Sequence, residues 1–171
     1  MEHRLYLPTF ARDFFANNVE IMKRKNADYS GFNSDPYANF KEVQKLGVDP
    51  VDGFLTRMMD KVCRIKTFQI RGSLKVTDES AKDTLADLAN YSMLLAGFLQ
   101  KIDSVHNLIN HAEYFFKKTQ EKLHDGTWNP AHTLEIALTD LSRKKDWNSC
   151  IDMAFYSVMV AYEFALNQNA E

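Results

Sequence analysis

RMMDKVCRIKTFQIRGSLKVTDESAKDTLADLANY, residues 57–91, is the stretch from which the fold is read. Two amphipathic helical segments flank a short polar connector. On the second segment Glu79, Asp83 and Asp87 recur at i, i+4 and i+8, so one face of one helix displays three carboxylates. On the first, Asp60 stands among Arg57, Lys61 and Arg64. Packed as an antiparallel hairpin, the two segments bring four acids and several cations to one cleft.

Outward from that hairpin the pattern stays helical. With six Gly and four Pro, punctuation is sparse. Thr9 caps a first helix to about residue 25, and a short helical piece covers 38–46 before Gly47. Asp49-Pro50 opens the helix that Gly72 ends, with proline in the first turn where its missing N–H does no harm. Thr77 or Asp78 caps the next, to about 101. Asp103 or Ser104 starts another, closed by Asp125-Gly126. Asn129-Pro130 opens one to about 144, and the last runs over 147–166. No run of alternating residues argues for a sheet. The expected fold is an all-α helical bundle in one domain, 1–171. Residues 87–96 and 152–161 align without gaps, but neither flank extends the match, so they read as two helices with similar packing problems.

Composition narrows the function classes. The 171 residues are 45% hydrophobic and 26% charged, with a net charge of -2, which gives nucleic acid and anionic membranes no electrostatic case as partners. Cys63 and Cys150 lie far apart in apolar helical contexts and read as buried free thiols. No stretch reaches the roughly 18 apolar residues of a membrane span. MEHRLYLPTFARDFF lacks an uninterrupted apolar core with a small-residue cleavage site, so the expected location is the cytoplasm. The five histidines have no zinc-site spacing.

Carboxylates stacked on one helix face repel one another and need cations or solvent between them. An acidic face bordering the apolar Leu85, Leu88 and Tyr91 fits acids that converge on a hard divalent ion such as Mg²⁺, which is often held by a few carboxylates together with substrate phosphates. A solvated acidic face is the plainer alternative.

DKVCRI followed by ESAKDTLADLANY resembles the pattern of small, often phage-encoded nucleotide-modification-associated proteins, relatives of the MazG-type all-α nucleoside triphosphate pyrophosphohydrolases. KNADYSG (25–31) and DPYANFK (35–41) resemble that family's lead-in segments. The likeness covers about residues 14–100. It implies a MazG-like core over about 8–102 with a helical C-terminal extension, 103–171. It also implies Mg²⁺-dependent cleavage (Mn²⁺ as the alternative metal) of a (deoxy)nucleoside triphosphate to monophosphate and pyrophosphate, and a homo-oligomer, in the host cytoplasm if the chain is phage-encoded. By the same likeness Glu79, Asp83 and Asp87 are the catalytic and metal-binding acids of the second helix, and Asp60 is the acid of the first. The family's E-x-x-E is broken here, because the residue three before Asp60 is Arg57.

The remaining candidates surround that cleft. Lys61 and Arg64 suit phosphate oxygens, or else pair with Asp60 to hold the hairpin. Lys25 is a further phosphate contact or a solvated helix-end lysine. The loop from Asp28 to Phe40 is the natural place for base and sugar recognition. Tyr29, Phe32 or Phe40 would stack on a base and Asn33 or Asn39 read its edge, unless the aromatics instead pin the loop to the core. Asn90, one turn past Asp87, faces a ribose or serves helix packing. Three readings compete: the hydrolase, a non-catalytic nucleotide or nucleotide-signal sponge using the same cleft, and a helical interaction module whose acids are surface.

Overall fold

Helix α3, Pro50–Arg71, shows how the pattern becomes structure. Phe54, Met58, Val62, Ile65 and Phe68 recur every three or four residues, and all are buried on one side. Asp49 starts the helix by accepting a hydrogen bond on Oδ1 from the Val51 N–H at 2.8 Å. The computed structural model describes residues 5–29, 35–71 and 79–169, with the side chains of 26–29, 79, 80 and 169 outside the description. Before α3 lie α1, Leu7–Tyr29, and α2, Ala38–Lys41, which runs into a 3₁₀ turn, Glu42–Leu46. Gly47 closes that turn in the left-handed region at φ 76°, as its position predicts. After α3 come α4, Glu79–Leu99; α5, Val105–Asp125; α6, Leu134–Lys144; and α7, Trp147–Asn169. All regular structure among the described residues is helical, as expected.

Helix α4 is the centre. It packs most extensively on α7, then on α3, and also touches α1 and α5. Its inward face is Leu85, Leu88, Ala89, Met93, Leu95 and Ala96. One apolar cluster runs from Ala11 in α1 to Ala161 in α7, with Phe15 of α1 stacked on Phe116 of α5 at 4.7 Å. The two aligned segments, 87–96 and 152–161, lie on the two central helices and repeat their details. Ser92 Oγ donates to the Leu88 carbonyl at 2.8 Å, and Ser157 Oγ to that of Met153 at 2.7 Å. Asp87 pairs with Lys61 at 3.0 Å, and Asp152 with Lys122 at 2.7 Å.

Several expectations need correction. Helix α1 begins at Leu7 because the Tyr6 carbonyl already accepts from the Phe10 N–H at 3.0 Å. Pro130 does not open α6: Asn129 Oδ1 accepts from the Ala131 N–H in a turn, and Thr133 is the cap, its hydroxyl accepting from Ile136. Cys150 is buried and burial pushes its thiol well above the usual range, but Cys63 is exposed on the outer side of α3. Helix α7 is long and apolar enough over 147–168 to cross a membrane, though more than half of that window is buried in the fold. Its apolar character follows from packing against α1, α4, α5 and α6. The positions of Gly72, Thr77 and Asp78 lie outside the described residues.

Candidate functional site

The side of α4 turned away from the core is polar, and it borders two adjoining cavities. Between α1 and α4 is a polar one of about 200 Å³, lined by Asn17, Asn18, Lys25, Lys82, Asp83, Asp87 and Asn90 with Phe14, Ile21 and Ala86. Beyond it is a larger chamber of about 380 Å³, which adds Asp35, Asn39, Phe40, Arg57, Tyr91 and the apolar side chains of Met22, Met93, Leu94 and Leu108. Ile21, Lys25, Asp87 and Asn90 border both, so the two form one cleft with a polar end and an aromatic end.

The charges of this cleft are partly spoken for. Lys61 Nζ donates to Asp87 Oδ2 at 3.0 Å across the α3–α4 seam, so the hairpin is tied through Asp87. Asp35 accepts from Lys41 Nζ at 2.6 Å and from the Tyr37 N–H at 2.9 Å. Burial alone would raise its pKa, but these hydrogen bonds and the Lys41 charge outweigh it and hold the carboxyl below its usual range. Arg57 lies over the Phe40 ring, 4.8 Å from its centroid, and donates to the Asn39 carbonyl at 3.3 Å. Arg64 sits over Phe68 at 5.8 Å.

Among the described residues three buried side-chain polar atoms have no hydrogen-bond partner: Asn18 Oδ1, Asn90 Oδ1 and the Tyr37 hydroxyl. Asn18 is fully buried, and its amide makes one long contact, Nδ2 to the Ala86 carbonyl at 3.4 Å. An unpaired acceptor of this kind costs about 1–3 kcal/mol unless something donates to it. Two of the three border the α1–α4 cavity.

Among the sequence candidates, Lys25, Asp83, Asp87 and Asn90 come together around the polar end, and Asn39 and Phe40 line the aromatic end. Phe40 is not open to a base. One face stacks on Phe54 at 3.8 Å with the rings 6° apart, the Arg57 guanidinium covers it, and Tyr91 meets its edge at 5.7 Å. The aromatic pins the segment to the core. Asp60 is exposed and lines neither cavity, and Lys61 and Arg64 stand outside the linings as well. The side chains of Asp28, Tyr29 and Glu79, and residues Phe32 and Asn33, lie outside the description.

Sequence reasoning missed Asn18 and Asp35, treated Arg57 only as a departure, and read Tyr91 as core. Asn17-Asn18 is a pair of adjacent amides in mid-helix, set between Ala16 and Val19, the one signal available in advance. Among the described residues no three His, Cys, Asp or Glu side chains converge as a metal cluster. The α1–α4 cavity is lined by two carboxylates, Asp83 and Asp87, and by the amides of Asn18 and Asn90, oxygen groups of the class a hydrated Mg²⁺ takes. What is in hand is an all-α protein with a two-ended polar–aromatic cleft. No protein-family model matches the chain, and neither a curated protein nor a solved structure matches it.

Proposed function

We propose that this chain is a MazG-like nucleotide-handling protein, a (deoxy)nucleoside triphosphate pyrophosphohydrolase releasing pyrophosphate and a monophosphate. One observation carries the reading: Asp83, Asp87 and Asn90 of α4 line, with Lys25 and Asn18, whose Oδ1 has no partner, a polar cavity that continues into a chamber holding Arg57 and Tyr91. In this reading Asp83 and Asp87 hold Mg²⁺ or Mn²⁺, with Glu79 on the same helix face. When bound, the metal supplies charge neutralisation on phosphate oxygens. Asp83, unlike Asp87, has no lysine partner among the described residues and is assigned the proton of the attacking water. Tyr91 and the apolar wall receive the base, and Asn39 and Asn90 hydrogen-bond base edge or sugar. The protein works in the cytoplasm as a homo-oligomer.

A second reading, binding without turnover, is favoured by two observations: the Lys61 ammonium already occupies one oxygen of Asp87, and a guanidinium stands at position 57. A panel of ribo- and deoxyribonucleoside triphosphates with Mg²⁺ separates the two. Turnover predicts pyrophosphate and monophosphate, and Asp83→Asn lowers kcat by about 100-fold or more with the melting temperature unchanged. A raised melting temperature without product supports the binder. Neither product nor shift leaves the interaction module.

A further inference from the structure

We propose that the larger chamber holds a phosphoryl anion directly on Arg57 and Lys25, with no bridging metal. The ligand's identity as a nucleotide rests on the reading above; its mode of capture rests on the charges of the chamber. Among the described residues four charged side chains line it: Lys25, Asp35, Arg57 and Asp87. The two acids are already neutralised from outside the lining, Asp35 by Lys41 at 2.6 Å and Asp87 by Lys61 at 3.0 Å. The two cations have no carboxylate partner among the described residues. Among the described residues Arg57 makes one long hydrogen bond to a backbone carbonyl and Lys25 none. With both acids paired, the described residues of the chamber carry a surplus of two positive charges.

That surplus decides the kind of ligand. A dication brought beside Arg57, in the chamber that Asp83 does not line, is repelled, whereas an anion is attracted there without one. The guanidinium is also pre-set, since its contact with the pinned Phe40 ring and the Asn39 carbonyl fixes its plane and leaves most of its N–H donors to spare. A fixed planar fork suits the tetrahedral oxygens of a phosphoryl group, which it can bind through two parallel hydrogen bonds. The guanidinium at position 57 thus meets phosphate itself, and ligand capture is separable from chemistry on α4.

Calorimetric titration of the full chain with inorganic pyrophosphate and with nucleoside triphosphates, in EDTA and then in Mg²⁺, tests this. Binding is expected in EDTA. Arg57→Gln weakens it by about tenfold or more in either medium, Lys25→Gln weakens it in the same sense, and both variants melt as the wild type does. Lys66→Gln, an equal charge loss on α3 outside the chamber, leaves it unchanged. Binding that appears only with Mg²⁺, or is indifferent to Arg57→Gln, overturns the inference while leaving the nucleotide reading in place. Pyrophosphate binding with no nucleotide binding upholds the inference and removes that reading. No binding by any probe removes both.

Discussion

Tyr37 and Gly97 show how closely single residues set the shape of the cleft. Tyr37 points away from the chamber that its neighbours line, and its hydroxyl is buried in the core without a partner. Burial and the nearby charges of Asp35 and Asp103 push its pKa far above the usual value, so the phenol is neutral. A methyl group at Gly97 would meet that hydroxyl at 2.8 Å and the His111 ring at 3.2 Å. Gly97→Ala is therefore expected to lower stability by about 1–3 kcal/mol despite the better helix propensity of alanine. Tyr37→Phe alone is nearly neutral, because it removes an unsatisfied polar atom. In the Tyr37→Phe background the Gly97→Ala penalty should shrink by at least half, and equal penalties in both backgrounds would refute the contact. Denaturant midpoints of the four proteins measure this. None of it was legible in the sequence, where Gly97 is one glycine in an apolar run. Asp83 and Asp87 of α4 were legible because i, i+4 spacing fixes a helix face whatever surrounds it. Phe40 and Asp60 were not, since which side of a helix meets a neighbour depends on packing that spacing alone does not reveal.

At the scale of elements, α4 and α5 meet through a buried imidazole. His111 of α5 lies against the Met93 carbonyl of α4 with its Nε2 at 2.9 Å, and its ring contacts Trp147 of α7 edge-on at 5.6 Å. Burial lowers its pKa from 6.5, and the Met93 hydrogen bond offsets only part of that. The native state therefore takes up the proton less readily than the unfolded chain. Stability is full above the unfolded pKa, falls as pH drops below about 6.5, and levels off once pH is below the depressed native value. The slope is at most about 1.4 kcal/mol per pH unit for one proton. The lowered carboxyls of Asp35, Asp125 and Asp146 act in the same direction but only near and below their ordinary value of 3.8, so the two windows separate. Urea midpoints at about pH 7.5 and about pH 5 should differ in the wild type and converge in His111→Gln. An unchanged difference would assign the slope elsewhere. Helix existence was legible throughout the described residues, because 3.6-residue periodicity and caps such as Ser104, which accepts from Asn107 at 3.2 Å, are local signals. The start of α6 was not, because a loop turn claimed Asn129-Pro130.

The whole molecule is built on the α4–α7 pair, and this changes the status of its C-terminal segment, 103–171. Resemblance suggested a core over about 8–102 with helices added after it. In the structure α7 covers more of α4 than α3 does, and the apolar cluster passes through both without a break. The matching serine back-bonds and lysine–aspartate ties of the two segments show equivalent solutions at the two sides of this central seam. The echo was visible in the sequence, but its meaning was not, since two like helices declare nothing about whether they touch. A fragment ending at residue 102 would leave exposed the face of α4 that α7 covers, on a helix whose buried residues include Leu88, Met93 and Leu95. Uncovering three or four such side chains at roughly 1.5–3 kcal/mol each is comparable to the entire net stability of a small domain, about 5–15 kcal/mol. The 1–102 fragment is therefore expected to show no cooperative thermal transition by circular dichroism and no binding of nucleotide or pyrophosphate. Adding the separate 103–171 segment should restore both if the two halves dock. A 1–102 fragment that melts cooperatively and binds on its own would show that the cleft stands without α7.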